Sequence, residues 1–209
     1  MHWRIRIPGA RLLHFITGWP CRAWRLLLWV VWIQSPRGKH VFLRWLAGIF
    51  LLAFDLIPLS LIYELFIVIL NIKVRQLNAH ERQQAHSVFG HSIPLHLVTL
   101  NPDSLPVKRK KATAYVSFYT VNFYGAIADT MLIHELVHVW QYERYGSAYI
   151  SEALWAQHWG GGYDYGGIEP LKMYSDDKRL AAFNFEQQAD IIEEYFRWKN
   201  GLPLQWALN

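Results

Sequence analysis

The chain lacks several features that would otherwise define its class. Its single cysteine, Cys21, rules out an internal disulfide and belongs to no metal-ligand spacing. No uninterrupted apolar stretch with a small-residue cleavage site follows the first basic residues, so a secretory signal is not expected. Internal repeats and low-complexity tracts are also absent from the sequence. The 209 residues therefore suit one domain of ordinary size with an appendage.

Acidic residues are scarce in the first third of the chain. Residues 1–75 contain ten Lys and Arg against two acids, a net charge of +8. Residues 76–209 contain eleven against fourteen, a net charge of −3, which together gives the formal +5. Six of the 11 tryptophans also precede residue 76. Basic residues, tryptophan and apolar runs together favour a membrane surface as partner, and nucleic acid is not expected.

The longest apolar stretch, residues 46–70, is long enough to cross a bilayer. It is interrupted by Asp55, Pro58 and Glu64, although charges at bilayer depth are costly and proline breaks or kinks a helix. This pattern fits four arrangements of residues 46–70: a kinked span, a hairpin dipping into one leaflet, an amphipathic pair on the surface, or a buried soluble subdomain. We expect residues 1–75 to form a hydrophobic, basic helical region that associates with a membrane.

The main candidate catalytic motif is at residues 134–138, which read HELVH and match the HExxH pattern. Residues four apart share a helix face, so His134 and His138 are able to bind one metal ion. Glu135 lies near the same face and is suited to act as the general base towards water. The alternative is a core helix whose histidines make only hydrogen bonds.

The flanks of this motif predict a buried helix. Apolar residues surround it on both sides, and Asp129 or Thr130 is a suitable N-cap. Gly146 is placed to end the helix. Buried packing of this kind fixes the rotamers of metal ligands.

A second predicted helix carries the remaining candidate ligands. Asn184 is a suitable N-cap and Gln187 completes a capping box. Glu186 and Asp190 are four residues apart and therefore share a face beside an apolar stripe. Glu186 as the third ligand and Asp190 as the residue that orients a zinc-bound histidine would give both carboxylates a partner. The alternative is two solvated acids near a helix start.

HExxH followed by ExxxD resembles the gluzincin class of zinc metallopeptidases. The resemblance implies one Zn²⁺ bound by His134, His138 and Glu186, with Glu135 as the base and Asp190 holding His134. The longer strings HELVHVWQYERYG and FNFEQQADIIEEYF resemble bacterial metallopeptidase-like domains found near secretion and contractile-injection genes. The resemblance implies an α+β fold. Residues 76–209 would form a minimal zincin-like domain, with a small antiparallel sheet and the two motif helices. With the basic N-terminal region, it suggests association with the bacterial inner membrane.

Two further segments are relevant to substrate binding. Residues 112–124 and 93–100 are β-rich and predict strands, and the first is placed to bind an extended substrate, as metallopeptidases of this class do. Residues 160–167 place two tyrosines between glycines, which suggests a mobile loop. Tyr163, Tyr165 and His158 are candidates for stabilising an oxyanion by residue type alone. The alternative is a surface turn with packed tyrosines.

The sequence therefore predicts a zinc-dependent hydrolase that cleaves an amide bond in a peptide or protein. Two alternatives remain at this point. In one, the zinc only braces a binding or assembly protein. In the other, the chain is a membrane adaptor whose basic helices bind lipid or a partner.

Overall fold

The computed structural model of the protein describes residues 3–31, 39–70, 73–110, 114–159, 162–166 and 180–205. Within these ranges the fold is mixed α+β, as predicted, with eight helices and one four-stranded sheet. The helices are α1 (Trp3–Val31), α2 (Lys39–Phe54), α3 (Leu59–Leu70), α4 (Ala79–Phe89), α5 (Leu105–Lys110), α6 (Asp129–Tyr145), α7 (Ala148–Trp159) and α8 (Phe185–Lys199). The strands are β1 (Arg75–Gln76), β2 (Thr99–Asn101), β3 (Ala114–Ser117) and β4 (Thr120–Phe123).

The sheet has the strand order β1-β2-β4-β3, which leaves β3 at one edge. β1 pairs antiparallel with β2, and β3 pairs antiparallel with β4, but β2 and β4 run parallel. The predicted antiparallel sheet is therefore wrong in part, because the sheet is mixed. The parallel pair arises because α5 and β3 lie between β2 and β4 in the chain and return it to the same end of the sheet.

The two predicted strands also differ from those observed. Residues 112–124 were expected to form one strand, but Ser117 pairs with Thr120 across a tight turn that separates β3 from β4. Phe118 has a φ of 57° in this turn, a left-handed conformation that is uncommon for a bulky residue. Residues 112 and 113 lie outside the described ranges. Of the predicted strand 93–100, only the last two residues are extended, and residues before them form turns.

The core lies between the sheet and the two motif helices. Helix α6 packs against α8 and against strands β3 and β4, and the buried apolar side chains of these elements belong to one core cluster. The largest of these side chains are Leu97, Leu100, Phe123, Leu132, Ile133, Leu136, Ile191 and Phe196. This packing fixes the relative positions of the residues that are predicted to be metal ligands.

Helices α1–α3 turn their polar side chains towards the rest of the protein. The Arg11 guanidinium lies 3.4 Å from the Glu64 carboxylate and donates to the carbonyl oxygen of Leu97 at 2.7 Å. Glu64 accepts a hydrogen bond from the backbone N–H of Tyr119 at 2.7 Å. Asp55, which is 1% exposed, accepts from the backbone N–H of Ser147 at 2.6 Å. The acids that interrupt the apolar stretch are therefore buried and paired.

The opposite faces of these helices are apolar and exposed. Leu13, Ile16 and Trp24 of α1 are about half exposed or more, as are Phe50 of α2 and Phe66 of α3. So many exposed apolar side chains are unusual for helices on the surface of a soluble domain. Among the described residues, no helix by itself has both the length and the apolar character to cross a bilayer. Only one pair of the described helices, Val41–Phe54 and Leu59–Leu70, reaches that length and apolar character, and only when the two are counted together across a 70° bend.

Candidate metal centre

Helix α6 holds the HExxH motif in the protein interior. Residues 132–139 are all buried, so both faces of the motif are packed. The helix ends at Gly146, as predicted, with a φ of 67°. Its predicted N-cap is wrong, because the N-cap residue is Ala128 and makes no side-chain hydrogen bond. Asp129 instead lies 2.8 Å from the ring of His80 on α4.

Helix α8 begins with the predicted capping box. The Asn184 side chain accepts from the backbone N–H of Gln187 at 2.9 Å, and the Gln187 side chain accepts from the backbone N–H of Asn184 at 3.1 Å. Together these bonds satisfy N–H groups that a helix start leaves without partners. They also fix the first turn, which carries Glu186, against α6.

Three predicted ligands converge between the two helices. Oε2 of Glu186 lies 3.6 Å from Nε2 of His134 and 3.7 Å from Nε2 of His138. The three residues are buried, and their ligand atoms lie within 4.8 Å of one another. The other carboxylate oxygen of Glu186 accepts from Nε2 of Gln157 on α7 at 2.9 Å. Glu186 is thus held with one oxygen directed at both imidazoles.

The opposite side of His134 faces two more carboxylates. Oδ1 of Asp190 lies 3.0 Å from Nδ1 of His134, and Oε2 of Glu193 lies 3.4 Å from the same nitrogen. Burial lowers the pKa of His134, but the contacts with Asp190, Glu186 and Glu193 outweigh it and bring the pKa well above the usual value. The three carboxylates therefore favour a positive charge at His134. A bound metal cation would place a positive charge at the same position.

His138 is oriented by a different partner. Its Nδ1 lies 2.8 Å from Oε1 of the fully buried Gln141, whose amide nitrogen donates to the carbonyl oxygen of Phe185 at 2.9 Å and to Gln188 at 3.1 Å. Because the amide nitrogen is engaged by two acceptors, Oε1 accepts and Nδ1 of His138 carries the proton. Burial lowers the pKa of His138, so the ring is neutral and its Nε2 lone pair points towards Glu186.

Glu135 lies beside the three ligands and has an unsatisfied oxygen. Its Oε2 is buried and makes no hydrogen bond with the described residues. Burial raises the pKa of Glu135 to about 7, with His134 acting in the opposite direction. A buried carboxylate without a partner is costly, which is typical of a residue held for chemistry.

Two separations within the donor set are close to those of a metal site. Metal bonds of about 2.0–2.1 Å place the ligand atoms of a tetrahedral zinc site roughly 3.4 Å apart. The observed separations of 3.6 and 3.7 Å from Glu186 to the two imidazoles are close to this value. The buried His and Glu residues are therefore able to hold a metal ion.

The site opens into a cleft of about 880 Å³. Its floor contains the HExxH residues and Glu186, and one wall is formed by Ala114, Tyr115 and Val116 of the edge strand β3. Helix α7 also lines the cleft through Ile150, Ala153, Leu154 and Gln157.

The three oxyanion candidates are placed differently. Tyr163 lines the cleft, with its ring centroid 6.3 Å from that of His134. Tyr165 packs against the hydrophobic core, and its hydroxyl is buried. His158 lies near the Leu154 carbonyl oxygen at 2.9 Å, one turn back on the exposed side of α7. Only Tyr163 among these three lies at the cleft, and residues 160, 161 and 167 of the glycine-rich loop are outside the described ranges.

Three residues at the centre were missed in the sequence analysis. Glu193 follows Glu186 by seven residues and Asp190 by three, so helical periodicity places it on the same face. Gln141 follows His138 by three residues, which puts its amide within reach of the imidazole. Gln157 has no comparable signal, because it comes from a helix that carries no motif.

No family model, no curated protein and no solved structure matches the chain.

Proposed function

We propose that this chain is a zinc-dependent hydrolase, a metallopeptidase that cleaves an amide bond with Glu135 as general base. The observation that carries the proposal is the convergence of His134, His138 and Glu186 beside the buried, unpartnered Oε2 of Glu135 in an open cleft. Two imidazoles and one carboxylate form a donor set that favours zinc over magnesium or calcium, which prefer oxygen ligands.

A second set of donors shares His134 but is less suited to a catalytic ion. His134, Asp190 and Glu193 also lie within ligand distance of one another, through the opposite ring nitrogen. Glu193 is already paired with Arg197 at 2.7 Å, and this set contains only one imidazole. We therefore assign Asp190 and Glu193 to orienting His134 through Nδ1, which leaves Nε2 free to coordinate the metal.

The proposed reaction assigns a role to each of these residues. A zinc ion, when bound, polarises the attacking water and the scissile carbonyl. Glu135 takes a proton from the water as the new carbon–oxygen bond forms, and then gives that proton to the amine nitrogen as the carbon–nitrogen bond breaks. Tyr163 donates a hydrogen bond to the carbonyl oxygen, since burial raises its pKa and keeps the phenol protonated.

The edge strand provides a place for the substrate backbone. Within the described residues β3 pairs only with β4, and Ala114, Tyr115 and Val116 of this strand line the cleft. The hydroxyl of Tyr149 on α7 donates to the carbonyl oxygen of Val116 at 3.0 Å and holds this strand in position. Strand addition would bind an extended peptide through its main chain, with little demand on its sequence.

Metal content and turnover together test the proposal. We expect about one zinc per chain by elemental analysis, and loss of zinc in His138→Ala and in Glu186→Ala. Glu135→Gln should retain zinc and lose cleavage of labelled peptide libraries by a factor of about 10² or more. Zinc without any cleavage by the wild type would instead support the structural-zinc alternative, and absence of zinc after loading would refute the site.

We further propose that α1–α3 attach this hydrolase to a membrane. The supporting observation is that these helices bury Arg11, Asp55 and Glu64 while exposing apolar side chains. A large exposed apolar surface is costly in water and is typical of a lipid or protein contact.

Vesicle flotation tests the attachment. Phe66→Gln combined with Leu13→Gln should lower the bound fraction on phosphatidylglycerol-containing vesicles, because both residues are more than half exposed on α3 and α1. Trp198→Gln is the matched control, since Trp198 is 65% exposed on α8. Equal flotation of the double variant and the control would contradict membrane attachment through these helices.

A further inference from the structure

An apolar groove of about 360 Å³ lies next to the catalytic cleft. Helices α2 and α3 contribute Leu51, Phe54, Leu59 and Tyr63 to its lining, and Phe118 and Ile150 complete the apolar part. Leu59 and Tyr63 are each about 40% exposed, so the groove opens on the apolar face of α1–α3.

The groove and the cleft share lining from two elements. Ile150 of α7 lines both of them. Along β3, Val116 lines the cleft and the next residue, Ser117, lines the groove. A chain that extends along β3 from the metal centre therefore enters the groove within the length of this strand, about 13 Å for four residues.

Polar side chains within the groove are already paired with the protein. Both carboxylate oxygens of Asp55 are engaged by Ser147, and the Ser117 hydroxyl accepts from the Asn122 amide at 2.9 Å. The surface offered to an occupant is thus formed by aromatic and aliphatic side chains. An occupant gains by burying apolar surface there, whereas a polar chain would lose hydrogen bonds to water.

The groove is also held in place relative to the cleft. Glu64 of α3 accepts from the backbone N–H of Tyr119 and from the Thr120 hydroxyl, immediately after the turn of the hairpin. Tyr63 makes an edge contact with Phe118, with ring centroids 6.1 Å apart. The helices that carry the exposed apolar face therefore also position the strand that forms the cleft wall.

We infer that the groove binds an apolar segment of the substrate itself, so that the substrate class is a membrane-bound polypeptide cut within about four residues of where its apolar segment begins. This inference rests on the proposed hydrolase function. Residues beside the scissile bond lie extended along β3, and the apolar residues that follow occupy the groove between α2, α3 and the hairpin. A soluble peptide that lacks the apolar segment binds only through β3 and is a poor substrate.

Binding of two synthetic peptides of equal composition tests this inference. In the block peptide a polar half precedes an apolar half that carries a benzophenone side chain, and in the scrambled peptide the same residues are dispersed. Binding is measured by fluorescence anisotropy to zinc-loaded Glu135→Gln protein in detergent micelles, so that no turnover intervenes. The cross-linked position is then mapped by mass spectrometry.

We expect the block peptide to bind about tenfold or more tightly than the scrambled peptide and to cross-link to the groove. Leu59→Gln should remove about tenfold of this affinity, because Leu59 lines the groove. Leu70→Gln is the matched control on the same helix, since Leu70 is 74% exposed and lies outside the groove lining. Both variants should keep the zinc content and melting temperature of the parent.

Four results would each overturn the inference. The first is equal binding of the two peptides, and the second is equal loss of affinity in the two leucine variants. The third is a bound fluorescent phospholipid that Leu59→Gln releases but the block peptide does not displace, which would assign the groove to lipid. The fourth is a concentration-dependent dimer that Leu59→Gln abolishes, which would assign the groove to a second copy of the chain. Lack of cleavage by the wild type would refute the hydrolase and leave these binding results intact.

Discussion

Gln141 provides the sharpest test of how the candidate metal centre is built. Its side chain makes three buried hydrogen bonds, to His138, to the Phe185 carbonyl oxygen and to Gln188, at 2.8, 2.9 and 3.1 Å. At roughly 1 kcal/mol for each bond, Gln141→Leu should lower the unfolding free energy of the metal-free protein by about 3 kcal/mol. Because the variant also frees the His138 ring to rotate, zinc affinity should fall by about 10–100-fold.

Gln141→Glu separates the two effects of Gln141. It keeps an oxygen acceptor for Nδ1 of His138, and a carboxylate in that place strengthens the basicity of a ligating imidazole. It also places a carboxylate oxygen against the Phe185 carbonyl and the Gln188 side-chain oxygen, where the amide nitrogen donated before. We therefore expect zinc affinity equal to or above that of the wild type, together with a lower stability of the metal-free protein.

The assays are competition with a chromophoric chelator for zinc affinity and urea unfolding of the metal-free protein for stability. Gln83→Leu is the control, since Gln83 is exposed on α4. Wild-type zinc affinity in a folded Gln141→Leu protein would refute the orienting role. Equal weakening of zinc binding in Gln141→Leu and Gln141→Glu would show that the acceptor oxygen is not what matters.

Two further predictions concern stability away from the metal centre. Gly146→Ala should lower the unfolding free energy by about 2–4 kcal/mol, because it combines a strained φ of 67° with a Cβ only 2.5 Å from the buried Asp55 carboxylate. Gly90 has a φ of 54° but open space around it, so Gly90→Ala should lower the unfolding free energy by only about 1 kcal/mol. Equal losses of unfolding free energy in the two variants, measured by urea titration, would show that the close contact with Asp55 does not contribute. Burial raises the pKa of Glu143, but hydrogen bonds from His14 and Tyr119 outweigh it, so the folded pKa lies below the usual value. Its stabilisation is therefore present at neutral pH and lost as pH falls through the folded pKa. Glu143→Gln should reduce stability by about 1–3 kcal/mol at pH 7 and by progressively less below about pH 4, and a constant difference across this range would contradict the assignment.

The helices of the candidate site were largely predictable from the sequence because their signals are local. Helical spacing alone places His134 beside His138, and Glu186 beside Asp190. The capping box at Asn184 is likewise a contact between residues three apart. Gln157 reaches Glu186 from a third helix, and no local pattern indicates such a contact.

The sheet was predicted less well because its strands depend on distant residues. Phe118 and Tyr119 are β-formers with no turn chemistry of their own, yet the chain reverses direction at this point. The buried carboxylate of Glu64, far away in the sequence, accepts from the backbone N–H of Tyr119 just after the turn. A positive φ at Phe118 is thus tolerated where a tertiary contact fixes the backbone.

The same long-range contacts change how the N-terminal third is interpreted. In the sequence, Asp55 and Glu64 appear as obstacles to membrane insertion, because charges in an apolar stretch are costly. In the fold they point inward, Asp55 to Ser147 at the start of α7 and Glu64 to the β3–β4 hairpin. Helix α7 and strand β3 of this hairpin both contribute residues to the lining of the cleft. Under the proposed membrane attachment, a lipid contact on the outer faces of α2 and α3 would act on the same region whose two buried carboxylates bond to the hairpin and to Ser147.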